Sequence, residues 1–162
     1  MINYNLQQIE GKLSFQPNRR YRQKIICCLL IAVIAFTLPL FLSISYDIIC
    51  TIQIIGVICA AYAVYDFLFK MNLTYIFDQT NRQVYQKVPG IYTRKLMSLE
   101  EVYILLETEN CELHYVLSNK KDRYGKGYSI SDYFLSTKRG KEEQERYETE
   151  VLGAIEKMIA HK

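Results

Sequence analysis

Apolar positions follow three different spacings along the chain. Ile25 to Ser45 is an unbroken run of 21 residues without a charge, IICCLLIAVIAFTLPLFLSIS, and Ile48 to Tyr65 adds 18 more, continued by Phe67, Leu68 and Phe69. At about 1.5 Å of rise per residue, each run makes a helix long enough for the roughly 30 Å of a hydrocarbon core. Between them lie only Tyr46 and Asp47. Inside lipid only helices and closed barrels satisfy their backbone, and these runs are too long and continuous for barrel strands. The pattern predicts a tight transmembrane hairpin of two helices. Two buried helices of a soluble bundle fit adjacent runs of spanning length less well. A cleaved signal peptide also fits poorly, because the first run starts late, is too long and is followed by a second.

From Leu73 the apolar residues alternate in short runs rich in Tyr, Val and Ile. LTYIF (73–77) and RQVYQKV (82–88) flank the turn composition Asp78-Gln79-Thr80-Asn81 and predict a β-hairpin. Further strands are expected at Thr93–Met97, Val102–Glu107, Cys111–Ser118 and Tyr128–Ile130, with a turn over Lys120–Gly127. The tail changes period again. From about Lys141 to Ala160, Tyr147, Val151, Ile155, Met158 and Ile159 recur at helical spacing. The predicted fold is therefore a membrane α-helical hairpin plus a small α+β domain, antiparallel strands capped by a C-terminal helix. The divisions expected are a basic segment 1–24, the hairpin 25–69 and the domain 70–162.

Charge changes this picture by adding direction. The whole chain of 162 residues carries only +3, but Lys12, Arg19, Arg20, Arg22 and Lys24 face Glu10 alone before the first run. The two runs contain no Lys or Arg, and Lys70 and Arg82 follow the second. The positive-inside rule then places both termini in the cytosol, as a multi-pass membrane protein. Asp66 and Lys70 stand four apart in the favourable order and can pair at the inner interface. The modest, scattered charge argues against nucleic acid as a partner.

Small residues suggest how the helices meet. Cys28, Ala32 and Ala35 form an i, i+4, i+7 stripe on the first span, and Gly56, Ala60 and Ala63 repeat it on the second. Such stripes let backbones approach closely. With a turn at 46–47, Ala35 is expected level with Ile58 and Ala32 level with Ala61. Pro39 frees the carbonyl of Ala35, and Gln53, near its level, is placed to bond loosened backbone.

The succession of a two-span hairpin, Y-I-F-D-Q-T-N-R-Q-V-Y, L-M-S-L-E-E-V, further strands and a terminal helix resembles the bacterial membrane-anchored pleckstrin-homology-like (PH-like) proteins. The resemblance covers about residues 25–160 and leaves Met1–Lys24 unexplained. It implies a roll of strands capped by the C-terminal helix, and a binding rather than a catalytic domain.

Candidate chemistry is sparse. Cys27, Cys28, Cys50 and Cys59 lie in the spans as small apolar residues, and no CxxC pair exists. Cys111 and His114, three apart in an expected strand, would point to opposite faces, a poor chelating geometry. Glu100-Glu101 and Glu142-Glu143 sit where a turn or helix N-terminus favours negative charge. Ser98, Ser129 and Ser131 lack a recognisable nucleophile motif. No metal, cofactor or catalytic group is expected. The turn holding Lys120, Lys121, Arg123 and Lys126 around Gly125 and Gly127 could meet a phosphate or a lipid headgroup, although a solvated hairpin turn explains it more simply. The expected role is a non-enzymatic adaptor or regulator, with the lipid bilayer and a protein as partners. The alternative is an immunity protein whose hairpin packs on a membrane-targeting toxin.

Overall fold

The computed structural model describes residues 4–42, 45–119 and 127–160. The chain forms two compact units, Met1–Asn18 with Leu73–Lys162, and Arg19–Asn72. Residues 1–24 are thus not a segment of their own. Most of them belong to the β unit, and the helical unit is inserted between two strands of one sheet.

In the β unit, strands β1 (Gln7–Ile9), β2 (Lys12–Phe15), β3 (Thr74–Asp78), β4 (Gln83–Val88) and β5 (Tyr92–Ser98) form an antiparallel sheet in chain order. Glu10 and Gly11 both take positive φ, 48° and 74°, the two-residue turn whose twist suits a hairpin. Sequence reading missed β1 and β2. β2 pairs with β3 through Phe15↔Tyr75 and Leu13↔Phe77, although 58 residues separate Gln16 from Thr74, which share a side-chain hydrogen bond of 3.4 Å. The Lys12 ammonium lies 3.3 Å from the buried Asp78 carboxylate, which also accepts from the Asn81 backbone and amide at 3.0 and 2.9 Å. Burial alone would raise the Asp78 pKa, but the Asn81 donors and Lys12 outweigh it and hold the group below its ordinary range.

A short 3-10 turn, Leu99–Glu101, switches the chain to a second antiparallel sheet of β6 (Val102–Glu109), β7 (Glu112–Asn119) and β8 (Tyr128–Ser129). The Ser98 hydroxyl accepts from the Glu100 N–H at 3.4 Å and Leu99 is buried, so L-M-S-L-E-E-V encodes a capped corner. The C-terminal helix begins at Lys138, earlier than expected, because Thr137 caps it by accepting from Gly140 N at 3.2 Å. Glu142 and Glu143 lie beyond the cap, and Glu143 pairs with Arg139 at 3.2 Å. The helix runs as α3 (Lys138–Tyr147), a wide π turn (Glu148–Leu152) and α4 (Gly153–Ala160).

The core of this unit joins Leu13, Phe15, Tyr75, Phe77 and Val84 of the first sheet, Tyr115 and Leu117 of the second, and Tyr147, Val151, Ile155 and Met158 of the helix. Tyr147 is its aromatic hub. Its ring meets Tyr4 edge-on at 5.0 Å and stacks on Tyr115 at 5.6 Å, while its hydroxyl donates to the Ile130 carbonyl at 2.5 Å.

In the helical unit, α1 (Tyr21–Phe41) and α2 (Tyr46–Tyr65) form the hairpin, and α2 continues through a π turn to Met71. Both helices are long and apolar enough to cross a membrane. At one end, Lys70 pairs with Asp66 at 3.2 Å, and Lys24 and Lys70 lie 4.9 and 4.8 Å from the Tyr21 ring centre. These contacts join the start of α1 to the end of α2.

Candidate functional site

Apart from Ile25 near the start of α1, the side chains that bury within the two helices are small. Ala32 and Ala35 of α1 and Gly56 and Ala63 of α2 are buried, whereas Cys28 and Ala60 are half-buried. A β-carbon on Gly56 would lie 2.9 Å from that of Ala35, so the helices touch where the glycine leaves room. Ala35 therefore meets Gly56 rather than Ile58. α2 already begins at Tyr46, so 46–47 is helix and not the turn, which shifts the pairing. Gln53 does not bond the backbone loosened by Pro39; it is exposed and has no hydrogen-bond partner among the described residues.

The expected anion contact of Lys120, Lys121, Arg123 and Lys126 lies outside the described residues. A different cation stands out among those described. Phe15, Tyr75, Gln86 and Arg94 are successive cross-strand neighbours, one row across β2, β3, β4 and β5. Along that row the side chains pass from buried and aromatic to exposed and charged. The Arg94 guanidinium donates to Gln86 Oε1 at 2.7 Å, Gln86 Nε2 donates to the Tyr75 hydroxyl at 3.4 Å, and that hydroxyl donates to the Ser129 carbonyl at 3.0 Å. Arg94 also lies 5.3 Å from the centre of the Tyr128 ring, so β8 supplies a face for the cation. Burial pushes the Tyr75 hydroxyl well above its ordinary pKa, with Tyr92 adding to the rise and Arg94 opposing it. It stays a neutral donor.

This arrangement holds a guanidinium in one orientation by a buried amide and leaves further N–H groups for an incoming acceptor. Arg94, Lys87 and Lys95 have no acidic partner among the described residues. Sequence reading missed this cluster although a signal was present. Residues 83–98 hold three basic side chains and no acidic one.

The remaining candidates have local roles. Cys111 sits not in a strand but in the β6–β7 turn, where Asn110 and Cys111 take φ of 50° and 65°. His114 is buried, its ring 4.7 Å from Tyr133. The Tyr115 hydroxyl donates to the Glu148 carboxylate and accepts from Gln144 at 3.1 Å. Burial, followed by the Glu148 bond, pushes the Tyr115 hydroxyl up to about 12. Glu100 pairs with Arg82 at 2.9 Å on the surface. Ser131 accepts from the Tyr115 N–H at 2.7 Å and Ser129 donates to the Ser131 carbonyl at 3.0 Å, so both tie the second sheet together. Among the described residues, no three His, Cys, Asp or Glu side chains are grouped to hold a metal ion. Neither a protein-family model nor a curated protein matches this sequence.

Proposed function

We propose that this chain is a two-span protein of a bacterial inner membrane that holds a PH-like interaction domain at the cytosolic face, as an adaptor or regulator and not as an enzyme. One observation carries the reading. On the two helices most of the large aliphatic side chains point outward, Leu30 at 57%, Val33 at 58%, Ile54 at 59% and Ile58 at 58% exposed, while Ala32, Ala35 and Ala63 are buried. In water such an outer surface would be a severe aggregation hazard; against lipid tails it is solvated. The Arg and Lys residues at 19–24 and Lys70, at the same end of the hairpin, support a cytosolic placement of both connections to the β unit. Five strands, three strands and a terminal helix support the PH-like reading. The end of the sheet that presents Arg94 is then the face for an anionic group of a protein partner.

Topology reporters fused before Met1 and after Lys162 test the proposal. Both fusions are expected to give the cytosolic signal. A periplasmic signal at either end overturns it.

A further inference from the structure

We infer that the helical hairpin binds a second copy of itself through the face of α2 that carries Gln53. The inference rests on the membrane-spanning reading. Between Asp47 and Asp66, Gln53 is the one side chain with an amide or a charge. It lies six residues from Asp47, about 9 Å along the helix, which places it within the hydrocarbon and below the headgroups. The threonine hydroxyls of the two helices are satisfied at home. Thr37 donates to the Val33 carbonyl and Thr51 to the Asp47 carbonyl, each at 2.9 Å. Gln53 has nothing to bond among the described residues, and its side chain is exposed beside the contact with α1.

An amide facing lipid without a partner is costly, and snorkelling to water is beyond the reach of its short stem. Its chemistry is self-complementary. The carbonyl of one Gln53 accepts from the NH2 of another while the reverse bond forms, so two copies related by a two-fold axis satisfy both. The surrounding seam is compatible with close approach. Cys50, Gln53, Val57, Ala60 and Val64 recur at intervals of three and four, the spacing of a left-handed helix pair. Val57 and Val64 are each 56% exposed, and the contact with α1 uses Gly56 and Ala63 instead. A single polar residue in such a seam fixes register and copy number.

Sedimentation of the full chain in density-matched micelles, across a range of protein-to-detergent ratios, tests the inference. The wild type is expected to form a reversible dimer. Gln53→Leu should weaken self-association about ten-fold or more, and Gln53→Asn, which keeps the amide, should restore much of it. A wild type that stays monomeric at every ratio overturns the inference, as does a Gln53→Leu variant that dimerises equally well. Alkaline carbonate washing of membranes containing each protein separates the two readings. Retention of a monomeric wild type sinks only the dimer, whereas release of the wild type sinks the membrane reading and the dimer together.

Discussion

The two units of this chain bury opposite kinds of side chain. In the β unit the fully buried residues are large, Tyr75, Tyr147, Phe15, Phe77 and Phe134, and polar groups border the exposed end of a sheet. In the helical unit the buried set is dominated by Ala32, Ala35, Gly56 and Ala63, and the large aliphatic groups lie outside. On the proposed membrane-spanning reading, the difference follows from the solvent each unit is built for. Water drives large apolar surface inward and rewards its burial, so the β unit is held by its biggest rings. Lipid offers no such drive, and helices hold together where small residues let backbones approach and dispersion act. Truncation and enlargement should therefore have opposite effects in the two units.

The largest effect is expected from truncation at the aromatic hub. Tyr147 is fully buried among Tyr4, Tyr115 and Phe134. Tyr147→Ala should cost about 3–5 kcal/mol, a cavity plus the lost transfer energy. Tyr147→Phe keeps the ring but leaves the Ile130 carbonyl without its donor, and should cost about 1–2 kcal/mol. Limited proteolysis of the full chain in mild detergent, as a function of urea, measures both. A near-neutral Tyr147→Ala would break the comparison on the β side.

Enlargement is the corresponding lesion in the helices. Gly56→Leu places bulk where even a β-carbon comes 2.9 Å from that of Ala35, so the backbones must separate. A loss of about 1–3 kcal/mol is expected. Ala60→Leu should cost less, because Ala60 is only half-buried. Helical ellipticity followed through an SDS titration in mixed micelles ranks the two variants. Equal tolerance of both would show that the small residues are not the contact.

How much of this was legible in the sequence differs between the units for physical reasons. The helices were, because uncharged runs of that length have few other homes. So were β3 to β8 to within a few residues, because alternation and turn residues such as Asp78 and Asn81 act locally. β1 and β2 were not. Leu13 and Phe15 alternate and Glu10-Gly11 is a turn, but their partner strand begins at Thr74, beyond an insertion that no local pattern bridges. The helix stripes were partly legible. Spacing identifies a face, while depth depends on where the chain reverses, and that moved Ala35 from Ile58 to Gly56. The Arg94 cluster was hidden for the same reason as β2, since Phe15, Tyr75, Gln86, Arg94 and Tyr128 meet only through strand register.

The smallest effect sharpens the comparison most. Leu30 on α1 is 57% exposed, whereas Leu13 on β2 is fully buried. In the β unit, Leu13→Ala should cost about 2–5 kcal/mol, because neighbouring side chains cannot close the void. In the helical unit, on the proposed membrane-spanning reading, Leu30→Ala removes methyl groups whose neighbours are lipid tails or detergent chains. These fluid neighbours flow into the space, so no cavity persists, and transfer between two apolar surroundings changes the free energy little. The expected change is below about 0.5 kcal/mol when the full chain is unfolded in mixed micelles. If Leu30 instead packed against a protein partner in the membrane, its truncation would still be silent in the purified chain but would weaken that complex in cells. If Leu30→Ala destabilised the purified chain as strongly as Leu13→Ala, its outward position would be wrong, and with it the claim that lipid solvates this surface.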